Sequence, residues 1–252
     1  MSADASARAP ALPPFFRSPA LLRFPDHRLI GLRDGIDFGF AREAAAIPLV
    51  GPEFVQAHRS YPIVFSTEEG ASPLAVTALA AGRNLFVRDD GGWTDGDYVP
   101  GYVRRYPFIG MTPAEGKNLL LGLDLSASQV STDRVRDGAR ALFAEDGSAT
   151  ETARAAMAFC EAYAADHDRT RAFGQALEAA TLLAPREARV TLPGGEEKLI
   201  QGFRLIDETA FRALSGPTLE TFHANGWTDL VTLHLASQHA WRALVARAFP
   251  AG

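Results

Sequence analysis

The sequence predicts an α+β protein, and three observations carry that prediction. Residues 28–125 carry short apolar runs separated by Gly, Pro and Asp punctuation. Connections that short favour antiparallel pairing, because a parallel crossover consumes a dozen or more residues. Residues 148–184 switch to a helical apolar period, and residues 188–206 return to a β-hairpin pattern around Gly194-Gly195. The N-terminal half is therefore expected to hold a mostly antiparallel sheet with short helices. The C-terminal half is expected to hold a helical segment, a β-hairpin and further helices.

In chain order, residues 1–20 hold Pro10, Pro13, Pro14 and Pro19, with Pro25 just beyond. Proline removes backbone donors, so this stretch is expected to be a flexible arm, docked through Phe15 and Phe16 if anywhere. Residues 28–33 and 35–40 predict a short hairpin about Asp34-Gly35. Residues 52–58 predict a one- to two-turn helix with Pro52 in its first turn. Strands are expected at Tyr61–Phe65, Leu74–Leu79, Asn84–Val87 and Leu119–Leu125, and a turn at Asp89-Asp90-Gly91-Gly92.

Ser148 and Glu151 have capping-box spacing. Ala153, Met157, Cys160 and Ala164 follow at helical spacing, Asp166-His167-Asp168 interrupts, and Phe173, Leu177, Ala180 and Leu183 resume. Two consecutive helices, or one kinked helix ended by Pro185, fit this pattern. Asp207 is placed as the cap of a short helix through Leu214. Ser215 or Gly216 with Pro217 opens another helix, which stops at Asn225-Gly226. Leu230–Leu235 fits strand or helix, and Ala240–Phe249 is a helix with Trp241, Leu244, Val245 and Ala248 on one face. One domain over residues 21–250 is expected, with sub-division near residue 145 left open.

Composition bounds the function. The 252 residues are 47% hydrophobic and 22% charged, which suits a folded globular chain. A net charge of −5 gives no basic excess for phosphate backbones, so nucleic-acid binding is not expected. There is no apolar run of membrane-spanning length and no secretory-signal pattern, which places the chain in the cytoplasm without membrane insertion. The single cysteine, Cys160, cannot form an internal disulfide and reads as a buried small hydrophobe.

Common catalytic signatures are missing. There is no phosphate loop (Gly116-Lys117-Asn118 lacks the hydroxyl and the upstream glycine), no dinucleotide turn, no nucleophile elbow and no His-Glu-x-x-His helix. None of the six histidines is followed two positions later by Asp or Glu. His234 and His239 are five apart, about 140° round a helix, which is poor for chelation. No metal-ligand set and no cofactor is assigned.

Three places remain as candidate sites. Asp26-His27 pairs a carboxylate with an imidazole, which is usable for acid–base work or as a structural hydrogen bond. Trp93–Phe108 gathers Trp93, Tyr98, Tyr102, Tyr106 and Phe108 around Arg104 and Arg105. That mixture suits a ligand or partner surface through stacking and anion contacts. It equally suits a short helix whose aromatics complete the core and whose arginines pair with Asp95 or Asp97. Glu53 and His58 share one short helix but are five apart, the spacing of a solvated face.

An ordered series of short motifs adds a resemblance. It runs through Glu53, Tyr61-Pro62-Ile63-Val64-Phe65, Asn84-Leu85-Phe86-Val87, Gly92-Trp93, Tyr98-Val99-Pro100 and Arg105-Tyr106-Pro107-Phe108. It continues through Asp124, Leu142-Phe143, Gly202-Phe203 to Asp207, and Leu235-Ala236-Ser237. In this order the motifs resemble the SapC family of bacterial proteins over roughly residues 22–247. The family takes its name from a surface-layer locus and brings no established catalytic residues. Its resemblance implies a setting beside TonB-dependent receptors, tryptophan-halogenase-like flavoproteins and cupin-like oxygenases, and so an accessory step in uptake or in peptide modification.

The expectation is an accessory or binding protein that recognises a protein or peptide partner, or a small ligand, through Trp93, Tyr98, Tyr102, Arg104, Arg105 and Tyr106. One alternative is an enzyme of unrecognised type using His27 with Asp26 or Glu53. The other is a surface-layer-associated structural component.

Overall fold

The computed structural model describes residues 12–35, 37–113, 118–191 and 197–249. The first residues of the proline-rich arm, the Gly116-Lys117 step and the Gly194-Gly195 turn lie outside the described residues. In chain order the strands are β1 (Pro19–Leu21), β2 (Gly31–Leu32), β3 (Ala46–Pro48), β4 (Ile63–Ser66), β5 (Pro73–Val76), β6 (Phe108–Met111), β7 (Leu120–Asp124), β8 (Val130–Ser131), β9 (Arg140–Ala141), β10 (Leu183–Thr191) and β11 (Glu197–Ile206). The helices are α1 (Phe54–Ser60), α2 (Gly101–Arg104), α3 (Arg134–Asp137), α4 (Glu151–Ala179), α5 (Glu208–Arg212), α6 (Gly216–Ala224), α7 (Trp227–Ser237) and α8 (Ala240–Ala248). All strand pairs are antiparallel, so the chain has the expected α+β class.

The chain divides into two compact units, each drawn from two stretches of sequence: residues 1–34 with 107–154, and residues 35–106 with 155–252. The first unit holds two small sheets, ordered β1-β7-β6 and β8-β2-β9. Pro19 and Ala20, at the end of the stretch expected to be a flexible arm, pair with β7 together with Leu21. Asp124 fixes that pairing. Its buried carboxylate accepts the backbone N–H of Arg17 at 2.7 Å, of Ser18 at 3.0 Å and of Ser126 at 3.0 Å, and the Ser126 hydroxyl at 2.7 Å. Burial alone would raise its pKa, but these hydrogen bonds outweigh burial and hold the group below the usual carboxylate range.

The hairpin expected about Asp34-Gly35 does not form. β2 is a central strand whose two edges are taken by β8 and β9, so no hydrogen-bonding edge is left for residues 35–40. Gly31 is required there: a Cβ would lie 2.7 Å from the Arg140 carbonyl oxygen. Residues 39–41 instead form a 3-10 turn in the second unit.

The second unit is built on a five-stranded sheet ordered β10-β11-β4-β5-β3. Phe65 of β4 meets Phe173 of α4 at 6.1 Å between ring centroids, and Phe173 meets Trp227 of α7 at 6.3 Å. α1 packs against α7 and α8. Asn84–Val87 is not a strand, although Val87 forms one isolated bridge to Trp93. The Asn84 side chain replaces a ladder: its amide donates to the Ala41 carbonyl at 3.1 Å and its oxygen accepts the Phe86 N–H at 2.9 Å.

Helix α4 is continuous over 29 residues. Asp166 and Asp168 do not break it, because each lies one turn from an arginine partner, Arg169 and Arg171. Its first turn is met by Thr150 Oγ1, which accepts the Ala153 N–H at 3.4 Å, rather than by a Ser148 box. Pro185 does not end the helix. It sits within β10, an edge strand, where a missing donor costs nothing. The hairpin of β10 and β11, the Asp207 and Ser215 caps and the αL residue Gly226 (φ 70°) form as expected. Leu230–Leu235 is helical within α7.

Candidate functional site

The site grows from the α1 segment. A 3-10 turn over Gly51–Glu53, with Pro52 at its start, leads directly into α1. Phe54, Ala57 and the following Tyr61 are spaced at three and four residues and are all fully buried. This leaves Val55, Gln56, Arg59 and Ser60 on the opposite face. That face forms one wall of an open groove of about 570 Å³; Gly96, Asp97, Tyr98, Val99 and Arg104 complete it.

Glu53 lies behind the groove and is only 7% exposed. Its Oε2 accepts the Val50 N–H at 2.8 Å. Its Oε1 accepts the Gly101 N–H at 2.5 Å and the Tyr98 hydroxyl at 2.9 Å. A Cβ on residue 101 would stand 3.1 Å from that oxygen, so glycine allows the close approach. Burial pushes the Glu53 carboxyl up, and the bonds from Gly101, Val50 and Tyr98, with the Arg104 charge, reduce the rise without cancelling it.

Tyr98 joins this buried acid to the groove. Its hydroxyl donates to Glu53 and accepts from Arg104 Nη2 at 2.9 Å. Burial and then the neighbouring Glu53 push the phenol up to about 12, so it remains a donor at neutral pH. Its N–H donates to Ser60 Oγ at 3.1 Å, and its carbonyl accepts the Tyr61 hydroxyl. Tyr61 in turn accepts Trp93 Nε1 at 3.0 Å. Arg104 spends Nε on the Val99 carbonyl at 3.0 Å, and its guanidinium lies 5.3 Å from the Phe159 ring centroid.

The segment from Trp93 to Phe108 therefore splits between interior and surface. Trp93 and Tyr102 are core residues, at 5% exposure each. Arg105 lies 4.2 Å from the Tyr102 ring centroid and 4.7 Å from that of Tyr163. Tyr106 packs on Phe40 at 4.0 Å. Tyr98 and Arg104 reach the groove. The arginines do not pair with Asp95 or Asp97: Arg88 takes Asp95 and Arg247 takes Asp97, both at 2.7 Å.

The sequence matches the SapC family over residues 22–244. The chain belongs to the SapC family. No curated protein and no solved structure matches it. The family match runs through both units of this SapC chain and includes Glu53, Tyr98 and Arg104.

Asp26 and His27 lie in the other unit of the SapC chain. Asp26 is exposed, and His27 Nδ1 accepts the Arg23 N–H at 3.0 Å, closing a turn. Glu53 does not pair with His58, whose Nδ1 meets the Phe54 carbonyl at 2.9 Å. Among the described residues no three His, Cys, Asp or Glu side chains are grouped to hold a metal ion. No described helix is long and apolar enough to cross a membrane.

The α1 wall is what sequence reasoning missed. Val55 and Arg59 are four apart on a helix that was expected, and an exposed valine on its polar face was the available signal.

Proposed function

We infer that this SapC-family chain is a binding protein that takes an extended peptide in the groove between α1 and the 96–99 loop. The accessory role in uptake or peptide modification suggested by the family setting is compatible with that reading. The observation that carries it is the placement of Tyr98. The buried Glu53 carboxylate, which also caps the Val50 and Gly101 N–H groups, orients the Tyr98 phenol, and the phenol in turn accepts from Arg104 at the groove. A solvated surface loop needs no such support, whereas a recognition residue gains affinity from being fixed in advance. Open shape, apolar flanks at Val55 and Val99, and a few convergent polar groups are also what a ligand groove requires.

Val55 is 59% exposed, so replacing it leaves the fold intact. In affinity-selection mass spectrometry with a library of short synthetic peptides, the wild-type chain retains a subset. Val55→Asp is expected to lower that retention at least tenfold. Equal retention by the variant, or none by the wild type, rejects the groove as the binding site.

A further inference from the structure

The groove is rich in donors and poor in acceptors. Asp97 is the one acid on its lining, and Arg247 neutralises it at 2.7 Å. Arg59 and Arg104 both line the groove, one from α1 and one from the end of α2. Arg59 is exposed and forms no ion pair among the described residues. Arg104 donates to two neutral acceptors, the Val99 carbonyl and the Tyr98 phenol, and forms no direct ion pair with a carboxylate among the described residues. Glu53, the acid behind it, turns both oxygens inward to Val50, Gly101 and Tyr98. Ser60 Oγ accepts the Tyr98 N–H and keeps its own proton to give. The Tyr98 proton is already committed to Glu53.

Guanidinium groups recognise carboxylates through paired, charge-assisted N–H donors. Val55 and Val99 provide apolar surface in the same groove. We propose that the groove captures the C-terminal end of a peptide, its terminal carboxylate received by Arg104 and Arg59 and its last apolar side chain set against Val55 and Val99. This rests on the groove reading above and adds the chemistry of the ligand. Tyr98 acts as a positioning residue: it holds Arg104 and leaves the carboxylate to the arginines.

The test uses the full chain and pairs of short peptides ending in Leu or Val, each made as the free acid and as the C-terminal amide. Binding is read by fluorescence anisotropy. Free acids are expected to bind at least tenfold more tightly than their amides. Arg104→Gln and Arg59→Gln are expected to remove that preference, while both variants keep the wild-type far-ultraviolet circular dichroism spectrum. Arg104→Lys is expected to restore part of it. Equal affinity for acids and amides, with binding still lost in Val55→Asp, overturns the carboxylate proposal and keeps the groove. Displacement of the acids by millimolar inorganic phosphate at unchanged ionic strength also overturns it, by showing a general anion site. Binding that ignores both the arginine variants and Val55→Asp overturns the groove reading itself.

Discussion

Glu53→Ala is expected to destabilise the protein by about 3–5 kcal/mol, because it strands two buried backbone donors and one phenol together. The N–H groups of Val50 and Gly101 point at the carboxylate from 2.8 and 2.5 Å, and the Tyr98 hydroxyl from 2.9 Å. Each buried donor left without a partner costs about 1–3 kcal/mol. Glu53→Gln retains one acceptor oxygen and presents an amide to the remaining donor, so its cost is expected to fall near half that of alanine. Urea denaturation at neutral pH checks the order. An alanine variant within about 1 kcal/mol of wild type would show that water or a backbone shift replaces the carboxylate, and that Tyr98 needs no anchor.

Lowering the pH from 6.5 to 4.5 is expected to remove roughly 2–3 kcal/mol of stability through His234 alone. This imidazole is fully buried in α7 and packs at 5.2 Å from the Phe65 ring, and among the described residues neither of its nitrogens has a hydrogen-bond partner. Burial pushes its pKa down to about 3, against an ordinary value of 6.5. The folded state therefore resists the proton that the unfolded state accepts. Its contribution is fully present above pH 6.5 and is lost as the pH falls towards 3, at about 1.4 kcal/mol per pH unit.

Glu53 works in the opposite sense. Its raised pKa makes the fold bind a proton more readily than the unfolded chain, so its own contribution weakens as the pH rises through the carboxylate range. It cannot supply the loss between pH 6.5 and 4.5. His234→Leu removes the titrating group and the unpaired nitrogens while keeping apolar volume. It is expected to equal or exceed wild-type stability at pH 7.5 and to flatten the profile between pH 6.5 and 4.5. Parallel profiles for wild type and variant would assign the acid sensitivity elsewhere.

The elements that were legible in the sequence are those specified locally. The β10–β11 hairpin has β pattern on both sides of its turn residues, and α6 has Ser215-Gly216-Pro217 at one end and Asn225-Gly226 at the other. The strands of two or three residues, β1, β2, β3, β8 and β9, have no period to detect and exist because a partner strand meets them. The continuity of α4 was hidden by Asp166 and Asp168, whose charge reads as a break but is met one turn on by Arg169 and Arg171.

The site divides in the same way. Aromatic and arginine density pointed to the Trp93–Phe108 stretch, yet composition does not distinguish Trp93 and Tyr102, which went into the core, from Tyr98 and Arg104, which reach the groove. The Glu53–Tyr98 bond spans 45 positions, and no spacing rule predicts it. The five-residue spacing of Glu53 and His58 predicts a solvated helix face for both. The fold instead turns the carboxylate towards the 98–101 segment.

The most direct test of the central claim is amide hydrogen exchange of the full chain with and without a free-acid peptide that it retains. Slower exchange confined to residues 54–60 and 96–104 is the predicted result. Protection confined to residues 19–34 and 107–154, with the groove unchanged, would contradict it and move the binding site to the unit that holds His27.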